Sequence, residues 1–339
     1  MKNRFILGID TSNYKTSVAL TDMHQNVVCD LRKFLKVKQG EKGLKQSDAL
    51  FQHVRNLPEL FEELAGSADG GVCGEAANDL YAGLAAVAYS SRPRPVEGSY
   101  MPVFLAGESF ARSLAALADI PALPFSHQEG HIEAIKAFSQ LKCADRIMAC
   151  HFSGGTSELL EVTAADGHTG YDIEIIGGSK DIAFGQVIDR AGVMLGMSFP
   201  AGEEMDRIAE AADEASDVLT RIRVSEGWLN LSGIDTQIKR TLENSGTASC
   251  ESAGPLICEI FEKVSDAMTD MVIQGAEKTG VSDIIMAGGV TSSSFIRRRA
   301  LKRLDAAGIN AVFDENGLAQ DNAVGISVLG GKEIWGSNL

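Results

Sequence analysis

The stretch FILGIDTSNYKTSVALT, residues 5–21, decides the fold of this chain. Phe5 to Asp10 is a short apolar run that stops at an acid, as a buried β-strand does. Thr11 to Thr16 forms a turn, and the chain resumes as a strand at Ser17 to Thr21. The pattern predicts a strand, a turn and a second strand, a form that suits the approach of backbone N–H groups to a phosphate.

A second stretch in the middle of the chain has the same construction. Arg146 to Phe152 is an apolar strand, Ser153-Gly154-Gly155-Thr156-Ser157 is a turn of small residues, and Glu158 to Val162 is the returning strand. Taken singly, either stretch is explained by a plain β-hairpin. Taken together, they predict two related halves that face each other across a cleft.

A third turn, rich in glycine, follows the predicted strand Ile284 to Ala287. Gly288 and Gly289 end this strand, and the chain continues to Ser293 and then toward a helix. A strand that runs into a glycine pair before a helix lets the backbone approach a ligand and points the helix N-terminus at it. Alone, this turn fits any α/β loop. As the third member of a set, it is predicted to hold the adenosine end of a nucleotide.

His127 and His131 are the candidate metal ligands in this chain. Their spacing of four residues places both imidazoles on one face of a helix. With a carboxylate from elsewhere, such a pair makes an open site of the catalytic type for a divalent metal. The alternative is a pair of hydrogen-bonded histidines on an amphipathic helix.

Length and composition set the class of protein. A chain of 339 residues exceeds the size at which one core stops growing, which predicts two lobes. Hydrophobic residues make up 45% and charged residues 23%, and no apolar run approaches the ~20 residues of a membrane span. The six cysteines form no CxxC pair, so we expect reduced thiols and a cytoplasmic protein.

The charge restricts how the protein can hold a nucleic acid. Its 46 acids and 31 bases give a net charge of −15, which repels a phosphate backbone over most of the surface. A nucleic-acid substrate therefore needs a local basic patch or a partner subunit. The concentrated candidate patch is Arg297, Arg298, Arg299, Lys302 and Arg303. The solvated face of a helix explains the same residues better.

Eight motifs that occur in order from about residue 5 to residue 330 carry a family resemblance. They are GIDTS, HVRNLP, IPALPFSHQEGH, FSGGTSEL, FGQVIDR, FPAG, MAGGV and QDNA. This set resembles the glycoprotease-like TsaD family, the tRNA threonylcarbamoyladenosine transferases. The resemblance implies an α/β, two-lobed actin-like ATPase fold, with two ribonuclease H-like domains and a central cleft. We expect an N-terminal lobe at 1–118, a second lobe at 119–321 that carries the metal and nucleotide motifs, and a terminal helix at 322–339 that packs back on the first lobe.

The resemblance also implies the site residues. His127, His131 and Asp321 become the ligands of one divalent metal, iron or zinc. The residues implied to bind the nucleotide or substrate, which is ATP or an acyl-adenylate, are Asp10, Thr11, Ser12, Ser153, Gly154, Gly155, Thr156, Asp189, Gly202, Gly288, Gly289 and Ser293. No catalytic residue is assigned.

The sequence departs from the family pattern at polar positions near the implied ligand. Tyr14 and Lys15 stand where the family has an acidic pair, and Thr156 replaces a histidine. Further departures are Ile182, Gln186, Arg190, Ser293 and the stretch Ser91-Arg92-Pro93-Arg94-Pro95 in place of Gly-Pro-Gly. These exchanges are consistent with a diverged paralog.

Three functions follow as alternatives. The first is transfer of a threonylcarbamoyl group from its adenylate to a tRNA adenosine, with tRNA held through partner subunits of the same modification pathway and no membrane involved. The second is a nucleotide- and metal-binding paralog that acts as a scaffold or regulator without catalysis. The third, a metallopeptidase, is disfavoured because zincin chemistry needs a glutamate directly after the first histidine, where this chain has Gln128 and then Glu129.

Overall fold

A computed structural model describes residues 4–12, 14–36, 44–66, 83–244, 253–314, 317–318 and 323–336. The chain divides into two compact units. The first comprises Met1–Cys143, Ala164–Asp172 and Asn316–Leu339, and the second comprises Ala144–Thr163 and Ile173–Glu315.

The strands of the described residues belong to two sheets. Their bounds are β1 Phe5–Thr11, β2 Lys15–Asp22, β3 Val27–Phe34, β4 Leu84–Arg92, β5 Ala122–Ser126, β6 Arg146–Phe152, β7 Ser157–Ala164, β8 Tyr171–Ser179, β9 Val224–Ser225, β10 Trp228–Leu229, β11 Asp283–Ala287 and β12 Asn310–Phe313.

The helices lie between the strands and at the end of the chain. Their bounds are α1 Gln46–Gly66, α2 Phe104–Ala118, α3 His127–Lys136, α4 Phe184–Met194, α5 Gly202–Ala211, α6 Ser232–Asn244, α7 Gly254–Thr279, α8 Ser294–Ala306 and α9 Val324–Trp335. Within the described part of the chain, no helix combines the length and the hydropathy that a membrane crossing requires.

The first unit contains a five-stranded sheet in the order β3-β2-β1-β4-β5. β1 pairs antiparallel with β2 and parallel with β4, and β4 pairs parallel with β5. Every residue of β1 is buried, because α1 and α2 pack on one face of the sheet and α9 packs on the other. A strand covered on both faces has a continuous apolar sequence without alternation, which explains the run at Phe5 to Ile9.

The second unit contains a seven-stranded sheet in the order β12-β11-β6-β7-β8-β10-β9. Five of its strands, β8-β7-β6-β11-β12, repeat the order of the first sheet, with β6 in the place of β1. β6 pairs antiparallel with β7 and parallel with β11, as β1 does with β2 and β4. This is the arrangement of a ribonuclease H-like domain. The predicted α/β class and the prediction of two related halves are confirmed.

The two predicted hairpins have the same register. The last pair across the first hairpin is Thr11 with Thr16, and the last pair across the second is Phe152 with Ser157. The polar turns after β1 and after β6 therefore leave their sheets at corresponding positions.

The boundary of the first unit differs from the expected residue 118. The unit extends to Cys143, because β5 pairs with β4 and because α3 packs against α9. His127 and His131 consequently lie in the first unit, whereas the sequence placed them in the second lobe. The terminal helix α9 packs on β1 and β4 of the first sheet.

The backbones of α3 and α9 touch where the two helices cross. A Cβ built on Gly325 would lie 1.9 Å from the carbonyl oxygen of Gly130, and one built on Gly130 would lie 2.8 Å from Ile326 Cδ1. On β1, a Cβ at Gly8 would lie 2.5 Å from the carbonyl oxygen of Ala323. Glycine at these positions lets α9 lie directly against both β1 and α3.

The arginines of α8 are neutralised by neighbouring helices. Arg299 contacts Glu262 at 2.9 Å and Asp266 at 3.0 Å on α7, and Arg298 contacts Glu210 on α5 at 2.7 Å. The candidate basic patch is therefore largely an intramolecular ion-pair network. Its positive charge is offset by these acids, so it attracts a phosphate backbone less than a patch of unpaired arginines would.

The cysteines partly follow the expectation of free thiols. Cys143, Cys150 and Cys258 are free, and burial raises the pKa of the Cys150 thiol to about 12. Cys29, which is buried on β3, is disulfide-bonded, so the expectation of a reduced thiol is wrong there.

Gly325→Ala is expected to destabilise the first unit. The added methyl group has no space beside the Gly130 carbonyl, and overpacking of this kind costs about 1–3 kcal/mol. Calorimetric unfolding would show it as a lower transition temperature. Gly66→Ala is the matched control, since a Cβ there meets nothing within 4 Å. Equal transition temperatures for the two variants would contradict the proposed helix contact.

Glu259→Gln is expected to weaken the second unit at neutral pH. Burial raises the pKa of Glu259, but hydrogen bonds from Ser216, Val218 and Leu219 and the charge of Lys263 outweigh burial, so the pKa is lowered. A carboxylate whose pKa is lowered by folding contributes stability above its unfolded pKa of about 4.3, and this stability is lost as the pH falls through the folded pKa.

The stability difference between wild type and Glu259→Gln should therefore be about 1.5–3 kcal/mol at pH 7 and shrink below about pH 4. Urea unfolding at a series of pH values measures it. Glu243→Gln, an exposed glutamate on α6, serves as the control. A difference that does not change with pH would refute the assigned role of the carboxylate charge.

Candidate functional site

The two histidines of the first unit lie at the start of α3. Ser126 caps this helix, because its hydroxyl accepts from the N–H of Glu129 at 3.2 Å while the Glu129 carboxylate accepts from the N–H of Ser126 at 2.7 Å. This capping box fixes His127 as the first helical residue. His131 follows one turn later on the same face.

Asp10 orients the histidine pair. Its Oδ1 lies 2.8 Å from His127 Nδ1, and the carboxyl group is fully buried at the end of β1. An ionised carboxylate only accepts hydrogen bonds, so this contact assigns the proton to Nδ1 and, in a neutral imidazole, the lone pair to Nε2. His127 Nε2 in turn lies 2.9 Å from His131 Nε2. The two imidazoles therefore converge through their Nε2 atoms.

This donor set fits a divalent metal. Two nitrogen ligands at about 2.1 Å from one ion and at right angles to each other are about 3 Å apart, which agrees with the observed separation of the Nε2 atoms. A metal-binding histidine also donates its other ring N–H to a carboxylate, as His127 does to Asp10. The same geometry serves a hydrogen bond between the rings when His131 Nε2 donates to His127 Nε2.

The expected third ligand, Asp321, lies outside the described residues. Among the residues that the structure describes, no group of three or more His, Cys, Asp or Glu side chains is arranged to hold a metal ion. The fit to a metal therefore rests on the two imidazoles and on Asp10.

The opposite face of α3 holds buried carboxylates. Glu133 is fully buried and accepts from the Tyr171 hydroxyl, and its Oε1 lies 2.7 Å from Lys332 Nζ on α9. Burial and the nearby charges of Glu133 and Glu129 raise the pKa of Tyr171. Glu129 accepts from the backbone N–H groups of Ser126 and Tyr171. Because Glu129 is buried and committed to these bonds, it does not serve as a zincin general base, which agrees with the low rank of the metallopeptidase.

A buried histidine holds the turn after β1. His53 on α1 is fully buried, with Nε2 2.6 Å from the carbonyl oxygen of Ser12 and Nδ1 2.9 Å from Thr16 Oγ1. Asn56 donates to the same threonine hydroxyl at 3.0 Å. Thr11 Oγ1 donates to the Val103 carbonyl at 3.1 Å and accepts from the N–H of Gly107 at 3.1 Å. The turn that contains the predicted residues Thr11 and Ser12 is thus fixed from both sides.

The charged departure in this turn, Lys15, is largely buried. Its ammonium group lies 4.6 Å from the centre of the Phe34 ring, on the neighbouring strand β3. Tyr14, by contrast, is half exposed. The replacement of an acidic pair by these residues therefore leaves a positive charge inside the first unit and an aromatic ring at its surface.

The turn after β6 forms the corresponding feature of the second unit. Ser153 Oγ accepts from the N–H groups of Gly155 at 3.4 Å and Thr156 at 3.1 Å. A Cβ on Gly185, at the start of α4, would lie 2.7 Å from Gly154 Cα, so the turn sits directly on that helix. The N–H groups of Gly155 and Thr156 therefore converge on the Ser153 hydroxyl, which occupies the point where a bound anion could accept from them.

Asp189 lies beside this turn. Its Oδ1 accepts from the N–H of Ala201 at 2.8 Å, and a Cβ built on Gly154 would lie 3.9 Å from its Oδ2. Gly202 begins α5 directly after Ala201. The second unit thus brings together the turn, Asp189 and Gly202, and their binding of a nucleotide stays a prediction.

Gly288 packs on the end of β6, but Ser293 has a capping role. A Cβ on Gly288 would lie 2.3 Å from the carbonyl oxygen of Phe152, and Gly289 opens the 3-10 turn Gly289–Ser292 that follows. Ser293 Oγ accepts from the N–H of Ile296 at 3.1 Å and donates to Asp206. Asp206 also accepts from the N–H groups that begin α8. A protein carboxylate therefore occupies the helix N-terminus that was predicted to point at a nucleotide.

The remaining departures at α4 also have local roles. Gln186 accepts from the N–H of Ala183 at 3.2 Å and so caps α4. The replacement by Gln186 therefore keeps a capping group for this helix. Asp181, the acid before the departure Ile182, is partly desolvated, but hydrogen bonds from Leu231, Ser232 and Ile182 outweigh this effect and hold its pKa well below the usual value.

Three positioning residues were not among the predicted site residues, and they are Thr16, His53 and Asn56. The signal that could have found the last two is their spacing of three residues on one face of α1, inside the motif HVRNLP. The resemblance placed Asp10 among the nucleotide-binding residues, whereas the structure shows a hydrogen bond between Asp10 and His127.

Comparison with known proteins identifies the family. The family model of TsaD, tRNA N6-adenosine threonylcarbamoyltransferase, matches residues 35–328. A relative described as a tRNA N6-adenosine threonylcarbamoyltransferase, from Thermus thermophilus, is 28% identical over 330 residues, which cover 97% of this chain and 91% of the relative.

The similarity of this chain to solved structures concerns the fold alone. HypF of T. kodakarensis matches with a TM-score of 0.58 and 13% identity over 99% of this chain, which is 49% of the HypF chain. A ROK family glucokinase from Streptomyces griseus matches with a TM-score of 0.51 and 11% identity, covering 96% of this chain and 98% of the kinase. The expected actin-like ATPase and sugar kinase fold is confirmed. With the family match over most of its length, the chain belongs to the TsaD family of tRNA N6-adenosine threonylcarbamoyltransferases.

Proposed function

We propose that this protein transfers a threonylcarbamoyl group from its adenylate to a tRNA adenosine with the help of one divalent metal. The observation that carries the proposal is the convergence of His127 Nε2 and His131 Nε2 at 2.9 Å, with Asp10 bonded to the far side of His127. In a member of this family, such a pair is a natural metal-binding element. Asp321 is the proposed third ligand.

The reaction is an acyl-type transfer. The exocyclic amino group of the adenosine attacks the carbamoyl carbon of the mixed anhydride, and the bond from that carbon to the phosphate oxygen breaks. AMP leaves with the electron pair, and the attacking nitrogen loses a proton to solvent. Such a step depends on positioning and on stabilisation of the charge that develops on the phosphate.

The metal would be iron or zinc, which suit imidazole and carboxylate ligands. When bound, it would supply a Lewis acid that orients and polarises the anhydride. His127 and His131 would hold it, and Asp10 would keep His127 in the tautomer whose Nε2 carries the lone pair that a metal needs. The capping box at Ser126 fixes the position of both rings.

The second unit is proposed to bind the nucleotide part of the adenylate. A phosphate oxygen would replace the Ser153 hydroxyl as the acceptor from the N–H groups of Gly155 and Thr156, and Asp189 suits a ribose hydroxyl or the adenine amino group. Gly288 and Gly289 keep the neighbouring turn free of side chains. Ser293, which is bonded to Asp206, is assigned to the support of α8.

The tRNA is proposed to be held with the help of partner proteins of the same modification pathway. The net charge of −15 repels a phosphate backbone, and the arginines of α8 are already paired with acids. A partner subunit would supply the missing positive surface.

The second candidate function is a nucleotide- and metal-binding paralog without catalysis. The observation that favours it is the buried Lys15 beside Phe34, where the family resemblance implies an acid. A positive charge in this turn changes the field near any bound phosphate. The two functions differ in whether product forms.

Purified wild-type protein is expected to contain about one iron or zinc ion per chain by elemental analysis. His127→Ala and His131→Ala should each abolish this content, because each removes one of the nitrogen ligands. Asp10→Asn should weaken metal affinity about 10- to 100-fold, since it removes the acceptor that orients His127. His168→Ala, an exposed loop histidine, is the control and should keep the metal. Unchanged metal content in both α3 variants would disprove the site.

Threonylcarbamoyl transfer is expected when the wild type is incubated with threonylcarbamoyl-adenylate, tRNA and the partner proteins of the pathway. Mass spectrometry of the digested nucleosides measures the modified adenosine. His127→Ala should reduce the rate by about 100-fold or more, because Lewis-acid stabilisation is worth several kcal/mol. His168→Ala should act as the wild type does. Metal and adenylate binding by the wild type without product would establish the non-catalytic paralog instead.

A further inference from the structure

We propose that the end of β4 provides a binding position for a phosphate group, formed by Arg92 and Ser90, beside the histidine pair of the first unit. The inference depends on the proposed function only for the identity of the phosphate ester. The position itself rests on the placement of Arg92, on the partners of its side chain and on the buried hydroxyl of Ser90.

The placement follows from the register of three parallel strands. Tyr89 on β4 is opposite Ile9 on β1, and Ser90 is opposite Phe125 on β5. Arg92 is opposite Ser126, the residue before His127. Since parallel strands end at the same edge of a sheet and lie about 5 Å apart, Asp10, Ser90 and the start of α3 are neighbours there.

The hydrogen bond between His127 and Asp10 confirms how close these elements lie. β4 lies between β1 and β5 in the sheet, so a bond of 2.8 Å from the residue after β5 to a residue of β1 passes over the end of β4. The end of β4 is therefore part of the immediate surroundings of the histidine pair.

The Arg92 guanidinium makes few hydrogen bonds within the described residues. Its guanidinium donates one long hydrogen bond, from Nη1 to Ser91 Oγ at 3.4 Å, and it forms no ion pair with any acid in the described ranges. The residue is partly buried. Glu108, an acid on α2, is bonded to Arg112 at 3.0 Å. A guanidinium with five N–H donors in this state is well suited to an anion from outside.

Ser90 adds a second unused group. Its side chain is 0% exposed, and its hydroxyl oxygen has no hydrogen-bond partner in the structure. Burial of an unbonded hydroxyl is unfavourable, and native proteins keep few such groups. A ligand oxygen that accepts from Ser90 would relieve this cost.

The backbone around Arg92 is held on both sides. Ser91 Oγ donates to the Phe125 carbonyl at 3.0 Å, and the N–H of Gln128 donates to the Pro93 carbonyl at 3.0 Å. The second bond links the segment directly to α3. Arg92 is thus presented by a fixed segment, which lowers the entropic cost of binding.

A phosphate is the anion that fits this position best. A guanidinium binds phosphate oxygens through paired N–H groups, and it stays charged at every physiological pH. The overall charge of −15 would otherwise repel such a ligand. Two esters carry this group in the proposed reaction, the adenylate and the tRNA backbone.

Arg92→Ala and Ser90→Ala test the position through the affinities of two probes, AMP and unmodified tRNA, measured by calorimetry and by fluorescence anisotropy with the full chain. Loss of Arg92 should weaken binding of one probe about 10- to 100-fold, and Arg92→Lys should recover part of it. Loss of Ser90 should have a smaller effect of the same kind. Arg240→Ala, an exposed arginine on α6, should leave both affinities unchanged.

The two probes separate the sources of the phosphate. Weaker AMP binding would assign the position to the adenylate. Weaker tRNA binding, with a slope of log affinity against log salt that falls by about 0.7 to 0.9, would assign it to the RNA backbone. Wild-type affinity of Arg92→Ala for both probes, or no binding of either probe by the wild type, would overturn the proposal.

Transferase activity distinguishes this proposal from the proposed function. Absence of threonylcarbamoyl transfer by the wild type, with AMP or tRNA binding that depends on Arg92, would remove the function and leave the phosphate position. If Arg92→Ala carried out full transfer and bound both probes with wild-type affinity, the proposed function would stand and the phosphate position would be overturned.

Discussion

The candidate metal site depends on the contact between α3 and α9, where Gly325 lies against the backbone of Gly130. This contact fixes the distance between the helix that carries the histidines and the helix that covers β1. β1 also supplies Asp10. The hydrogen bond of 2.8 Å from His127 to Asp10 therefore depends on two contacts, that of α9 with α3 and that of α9 with β1. Packing at two glycines thereby sets the tautomer of an imidazole, which decides the chemistry that the ring can perform.

Each face of α3 has a separate task. One face presents His127 and His131, and the other carries Glu129 and Glu133, which are buried and bonded to backbone N–H groups, to Tyr171 and to Lys332. Buried carboxylates are costly unless they are fully paired, so these bonds define one rotation and one depth for the helix. A short helix of this kind can hold two ligands accurately because the rest of its surface is committed to the core.

The sequence predicted what depends on local pattern. The two hairpins and the placement of both histidines on one face of a helix follow from residues close together in the chain. The long-range partners did not follow, because spacing cannot show which strands share a sheet edge. His53 against Ser12, Asp10 against His127 and Asp206 against Ser293 join residues that only the sheet order and the helix packing bring together. The boundary at Cys143 escaped prediction for the same reason, since it depends on the pairing of β5 with β4.

The glycines of α9 have a consequence for local stability. Gly325, Gly330 and Gly331 lie in a helix of 12 residues, and each costs about 1 kcal/mol relative to alanine in a helix interior. Helices of this length are marginal in water even with favourable residues. The terminal helix is therefore helical because it is docked, and its undocking and its unwinding are one event. An opening of this segment would remove one packing surface of α3, so we expect the amide hydrogens of the histidine helix to exchange with solvent no more slowly than those of α9.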